Sequence, residues 1–247
     1  MGWTVTGTTR DRHLAARESR WESIVLDLAD QSSIEGAARH VREAYPRLDA
    51  LISSAGHALT GPWEELTIEE LRAQLEASLI GTMTLCRACL PMLRAAEGVL
   101  VQVSSVHGQV GGAMAGAYNA AKFGLEGSSE ALAAEVAPQG VRVVIIEPGP
   151  FRTPILDRSP FSAGRGSTGL YDEAWKSEDE WKDWFRDGAE DPREAVDAIV
   201  AAATMPGAPL RIPVGTIAGP MIRAHAQAVI ADVYRAETFL QRFRSRR

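Results

Sequence analysis

Ser105, Tyr118 and Lys122 bring a hydroxyl, a phenol and an ammonium within eighteen positions of one another in a chain of 247 residues. Tyr118 and Lys122 are four residues apart, and in a helix that spacing puts both on one face about one turn apart. An ammonium beside a phenol favours the phenolate and draws the tyrosine pKa down from about 10 towards working pH. A general acid/base needs that tuning. One reacting carbonyl could meet all three groups. A lone Tyr-x-x-x-Lys is equally the mark of a solvated helix face, so the surrounding elements have to decide.

Residues 98–104 are apolar, β-branched and few, the pattern of a strand buried on both faces of a parallel sheet. Ser105 then stands just past the strand's C-terminal end, where open α/β sheets bind their ligands. After a glycine-rich loop, residues 117–137 are predicted as a helix rich in Ala and Leu, stopped by Pro138 and Gly140. Further strands are predicted at 3–9, 23–27, 49–53 and 141–146. A weak one at 210–214 belongs near an edge because of Pro213. Helices are predicted at 31–45, with Asp30 or Ser32 as N-cap, and at 67–96, broken near Pro91. Residues 13–20 form a short helix or loop, and Pro192 takes the first position of a helix running to Ala203. Residues 217–243 are mostly helical, and their Ile, Val, Tyr and Phe positions pack across a dimer interface or bury against the sheet. Strands alternating with helices mean βαβ units and a parallel sheet.

Composition narrows the classes. With 45% hydrophobic residues, the chain is long enough to bury one core without staples. A net charge of -6 argues against nucleic acid as partner. The basic end, with Arg242, Arg244, Arg246 and Arg247, reads as a solvated tail. No apolar run is long enough to span a bilayer and no signal-peptide pattern opens the chain, so a cytoplasmic protein without membrane contact is expected. Cys86 and Cys89 lack a second pair for zinc, and the histidines fall into no ligand spacing, so no metal is expected.

Ser105, thirteen residues before a Tyr-x-x-x-Lys that opens a helix, resembles the short-chain dehydrogenase/reductase superfamily. That resemblance implies Tyr118 as the proton-exchanging group, Ser105 as the residue orienting the carbonyl, and Lys122 as the residue that tunes Tyr118 and holds the nicotinamide ribose. It extends along most of the chain. Asp27, followed by Leu28, looks like the strand-end Asp that meets the adenine. Ser53, Ser54, Ala55 and Gly56 correspond to the family's Asn-Asn-Ala-Gly, with both Asn positions replaced by Ser. Pro148, Gly149 and Thr153 resemble the loop that meets the nicotinamide amide. Ser78 stands where the family has an Asn that holds a proton-relay water. Arg10 lies where an acidic residue would bind the NAD ribose and an Arg accommodates the 2′-phosphate, so NADP is expected over NAD.

The resemblance implies an α/β fold, a Rossmann-like doubly wound parallel sheet in one domain over 1–247, with 154–191 as a substrate lid. The family's opening strand and Thr-Gly-x-x-x-Gly-x-Gly turn have no match here: Thr6 and Gly7 fit its start, but Asp11 and His13 occupy the glycine positions. The sheet is therefore expected to lack its first strand and to open by about 9.5 Å, two strand spacings. Met1 is read as a misassigned start, with about 25 further residues ahead of Gly2 in the natural protein, enough for a strand, loop and helix. Trp175, Trp181, Trp184 and Phe185 either cover an apolar substrate or anchor the lid. The expected function is an NADP(H)-dependent interconversion of alcohol and carbonyl in a homodimer or homotetramer. The alternative is a non-catalytic binding or dimerisation protein of the same fold, or a truncated inactive fragment.

Overall fold

The computed structural model describes residues 2–17 and 21–245. Met1, the end of the segment predicted over 13–20, and Arg246 and Arg247 of the basic tail lie outside the described residues. Six strands, β1 (Thr6–Thr9), β2 (Glu22–Val25), β3 (Ala50–Ser53), β4 (Val99–Val103), β5 (Arg142–Pro148) and β6 (Arg211–Val214), alternate with helices. The helices are α1 (Arg12–Arg17), α2 (Gln31–Ala44), α3 (Ile68–Leu75), α4 (Gly81–Ala96), α5 (Gly116–Val136), α6 (Asp172–Gly188), α7 (Arg193–Thr204) and α8 (Ala218–Arg244).

Every strand pair is parallel. The strands divide into two sheets, β1-β2 and β3-β4-β5-β6, at the place where the sequence predicts an opening. Helices cover both faces of the larger sheet, as a doubly wound fold requires. Val99, Val101, Val144 and Ile146 pack towards α7, while Leu100 and Val143 pack against Cys86 and Leu93 of α4 and Val136 of α5. Pro213 sits in the edge strand β6, where its missing N–H disturbs no central ladder.

The two sheets are joined through helices. Leu26, Leu28, Ile34 and Ala37 form a small core with Leu85 of α4, so α2 carries the smaller sheet onto α4. Gly81 makes the approach possible: a Cβ there would stand 1.8 Å from the Leu28 carbonyl oxygen. Asp30 caps α2 by accepting from the backbone N–H groups of Ser32 and Ser33, a contact worth about 1 kcal/mol.

The long helical stretch is interrupted elsewhere than predicted. Pro91 lies inside an unbroken α4, and the irregularity is a wide π-helical turn at Glu76–Ile80. Such turns shift the side-chain register and recur at functional positions. Pro192 caps α7 from the preceding position. The long helix α8 resolves one open alternative: only Ala218 is buried, and Val229, Ile230, Val233, Tyr234 and Leu240 are exposed. Beyond its first turns, at Ala218, Met221 and Ile222, the apolar residues of α8 are not buried against the sheet.

Candidate active site

Each strand that leads to a predicted site residue delivers it at its C-terminal end. Arg10 follows β1, Asp27 and Leu28 follow β2, Ser54 to Gly56 follow β3 and Ser105 follows β4. Pro148 ends β5, and Gly149 and Thr153 come after it. Parallel strands point these ends the same way.

Ser105 leaves β4 in an extended conformation and starts the short turn Val106–Gly108, its Oγ accepting from the His107 N–H at 3.1 Å. A hydroxyl that accepts can still donate its own hydrogen. Tyr118 lies on the first turn of α5, and its phenol faces the Ser105 side chain, near enough for that hydroxyl to act on its pKa. Both residues are buried, with 8% and 9% of their surface exposed. Burial pushes the Tyr118 phenol above its ordinary value, and the Ser105 hydroxyl opposes it. Desolvation is the larger of these two causes, and Lys122 is not among them. Lys122 Nζ stands 5.8 Å from the Tyr118 ring centroid and donates to the Val103 carbonyl at 2.9 Å. Its own pKa is pushed down to about 8 by burial, with Glu126 opposing.

Asn119, which the sequence reading missed, braces the loop between the two hydroxyls. Its Oδ1 accepts from the Gly112 N–H at 3.0 Å, and its Nδ2 donates to the His107 and Val110 carbonyls at 2.8 and 3.1 Å. The signal available was an amide of poor helix propensity directly after Tyr118 in an Ala-rich run. His107 adds an edge contact to the Tyr118 ring, with centroids 6.1 Å apart.

Ser78 lies in the π-helical turn, 1% exposed. Its Oγ accepts from Gln74 Nε2 at 2.8 Å, so it is held by a neighbouring side chain. Gln74, also missed, has no exposed surface and ties three segments: Nε2 donates to the His57 carbonyl at 3.0 Å and Oε1 accepts from the Leu59 N–H at 2.8 Å. A Cβ on Gly56 would come 3.8 Å from Ser78 Oγ. The exposed Ser54-Ala55-Gly56 loop therefore lies directly over Ser78.

On the smaller sheet, Arg10 is exposed, and its charge joins burial in lowering the His57 pKa, which brings the tips of β1 and β3 into electrostatic contact. Asp27 Oδ1 accepts from the Ala29 N–H at 2.9 Å, a local turn. The Leu28 side chain belongs to the core with Leu26 and Ile34, so its side chain does not line the site.

Thr153 lines a cavity of about 780 Å³ between the loop after β5 and α6. Phe161 and Phe185 belong to its apolar part, but Arg152, Lys182 and Arg186 line it together with Asp157, Asp179 and Asp183, a more polar lining than predicted. Within the predicted lid, Trp175 and Phe185 are buried, while Trp181 and Trp184 are largely exposed. The segment predicted as a lid is fastened at residues 166–175 by Glu65, a third residue the sequence reading missed. Its carboxylate accepts from the N–H groups of Gly166 and Thr168, the Thr168 hydroxyl and Trp175 Nε1, at 2.7 to 3.2 Å. Burial pushes this carboxyl up, but those hydrogen bonds outweigh it and hold the pKa at about 2.

Residues 6–160 match the family model described as short chain dehydrogenase. A 3-ketodihydrosphingosine reductase from Bacteroides thetaiotaomicron is 33% identical over 172 residues, covering 69% of this chain and 63% of the relative. The chain spans about half to two thirds of the length of the curated relatives it matches. A short-chain dehydrogenase from Streptomyces avermitilis superposes with a TM-score of 0.82 and 35% identity, covering 97% of this chain and 89% of that one. A metagenomic short-chain oxidoreductase in complex with NADP is 32% identical with a TM-score of 0.54, covering 60% of this chain and 72% of that one.

Proposed function

Because the chain belongs to the short-chain dehydrogenase family, we propose that it is an NADP(H)-dependent oxidoreductase interconverting an alcohol and a carbonyl. The observation that carries this reading is the convergence of the buried Ser105 and Tyr118 side chains, with Lys122 anchored one turn on and 5.8 Å from the Tyr118 ring.

The residues fit the two ends of a dinucleotide. The exposed turn at Ser54, Ala55 and Gly56, close above Ser78, and Tyr118, Lys122, Pro148, Gly149 and Thr153 would hold the nicotinamide half. Arg10 and Asp27 would hold the adenosine half, with the Arg10 guanidinium taking a 2′-phosphate. The NADP complex of a relative supports that choice. When bound, the dinucleotide supplies or accepts the hydride.

The chain's own residues handle the oxygen. Ser105 donates its hydroxyl hydrogen to the substrate oxygen, since its lone pair is engaged by the His107 N–H. Tyr118 gives its proton to that oxygen on reduction and recovers it on oxidation. Lys122 lies behind the phenol and stabilises the phenolate once formed. Exclusion of water by the lid strengthens each contact. The substrate is a small carbonyl or alcohol compound, and the mixed lining near Thr153 favours one that carries polar groups beside its apolar part. Purified protein incubated with NADPH and a panel of ketones tests the reading: consumption of NADPH coupled to alcohol formation is expected, and none with any ketone overturns it.

A further inference from the structure

Among the described residues, five buried side-chain atoms have no hydrogen-bond partner: Gln102 Oε1, Ser104 Oγ, Glu126 Oε1, Ser129 Oγ and Glu147 Oε1. They share one location. Alternation along the strands puts Gln102 and Ser104 on the same face as Leu100, and Glu147 on the same face as Val143, which is the face covered by α4 and α5. Lys122, Glu126 and Ser129, at i, i+4 and i+7 of α5, share the helix face that is buried. The chamber lies directly behind Ser105 and Lys122.

One guanidinium serves three carboxylates there. Arg211 Nε donates to Glu126 Oε2 at 3.0 Å and stands 3.6 Å from Glu147 Oε1, while its terminal nitrogen donates to the exposed Glu130 at 2.7 Å. Gln109 adds a second donor to Glu126 Oε2 at 3.1 Å. The charged groups facing Glu147 are thus Glu126, Glu130 and Lys122 from α5 and Arg211 from β6; β4 contributes only the neutral Gln102 and Ser104. Glu126 and Glu147 are 3% and 1% exposed, and an ionised carboxylate only accepts. Among the five unmatched atoms, three oxygens can then only accept, against two hydroxyls that can donate, and a buried acceptor left unmatched is costly.

A proton turns an acceptor into a donor. We propose that Glu147 carries a proton in the working protein and serves as a positioning residue, donating within the chamber beside Glu126, one turn from Lys122. The same proton keeps the loop at Pro148 and Gly149 in register with Ser104 and Ser105. This rests on the reading of Ser105, Tyr118 and Lys122 as the reacting groups. Burial, reinforced by the Glu126 charge, raises the Glu147 carboxyl to about 7, with Gln109 and Arg211 opposing. Ionisation above that pH puts a second negative charge on the one shared guanidinium.

Infrared spectra of the full chain, recorded from pH 5 to 9, test the proton directly. In the difference between wild type and Glu147→Gln, a carboxylic acid carbonyl band is expected at pH 6 and lost by pH 8.5. Stability gives a second reading. The folded value lies above the ordinary 4.5, so the wild-type melting temperature is expected to fall relative to Glu147→Gln as pH rises from 4.5 through about 7, then to run parallel. Positioning is read from kinetics: Glu147→Leu, which cannot donate, is expected to lose tenfold or more in kcat with the NADPH KM little changed, and Glu147→Gln to recover most of it. No carboxylic acid band in the wild type minus Glu147→Gln difference at pH 6 overturns the proposal, as do equal kcat values for the Leu and Gln variants. If the band behaves as expected in a protein that reduces no ketone, the proton on Glu147 stands and the reading of the site is what fails.

Discussion

Lys122 Nζ donates to the Val103 carbonyl at 2.9 Å, so the helix that carries Tyr118 is pinned to the last residue of the strand that delivers Ser105. The triad is fixed by a bond from one of its own members.

The first prediction concerns that ammonium. Burial pushes Lys122 down to about 8, so its charge is held below that pH and lost above it, whereas in the unfolded chain it persists to about 10.5. Between these values the unfolded chain binds more protons, and wild-type stability should rise with pH. Lys122→Met should abolish that rise in melting temperature and lower kcat at pH 7 by about 100-fold. Wild-type kcat for reduction should decline above pH about 8.

On the proposed reading, Arg10 favours NADP over NAD. A charge-assisted contact to a 2′-phosphate contributes about 1.5 to 3 kcal/mol. Arg10→Ala should therefore weaken NADPH binding by roughly 10- to 100-fold and leave NADH within about twofold. Fluorescence titration with both nucleotides measures it, and equal losses for the two would contradict the assignment.

Gln74 supports the loop above Ser78 by three hydrogen bonds from a side chain with no exposed surface. Gln74→Leu keeps the volume and leaves the Leu59 N–H and the His57 carbonyl unmatched. A loss of about 2 to 4 kcal/mol is expected, or roughly 5 to 10 °C in melting temperature.

Glu65 fastens the proposed lid. In Glu65→Ala the amides of Gly166 and Thr168 should lose their protection from hydrogen exchange, and KM for the carbonyl substrate should rise more than kcat falls. A carboxyl held at about 2 contributes stability above its ordinary value of 4.5 and loses it as pH falls through about 2. Protection in the wild type should therefore be flat between pH 5 and 8.

The sequence discloses what depends on local pattern. Residues 99–103 and 141–146 read as strands because β-branched runs leave few alternatives, and Asp30 reads as a cap because it directly precedes a helical pattern. Ser105, Tyr118 and Lys122 are visible because their spacing encodes a strand end and one helix face. Glu65, Gln74 and Asn119 are not, since their partners include residues far along the chain or backbone groups of a loop, and no period marks them. The Pro91 reading fails for a related reason: a proline inside a helix can be accommodated, while the π-helical turn at Glu76–Ile80 carries no breaker residue to announce it. The raised Tyr118 pKa depends on burial, which spacing does not reveal. Glu147 is likewise inconspicuous beside a Pro-Gly turn until the sheet face it occupies is known.

The central claim is that Tyr118 exchanges the proton at the substrate oxygen. NADPH oxidation with the best ketone of a panel, compared between wild type and Tyr118→Phe at equal folded fraction, tests it most directly. The account predicts that kcat falls by at least about 100-fold, the scale of a lost general acid, while NADPH still binds. Turnover retained within a few fold in Tyr118→Phe would contradict it.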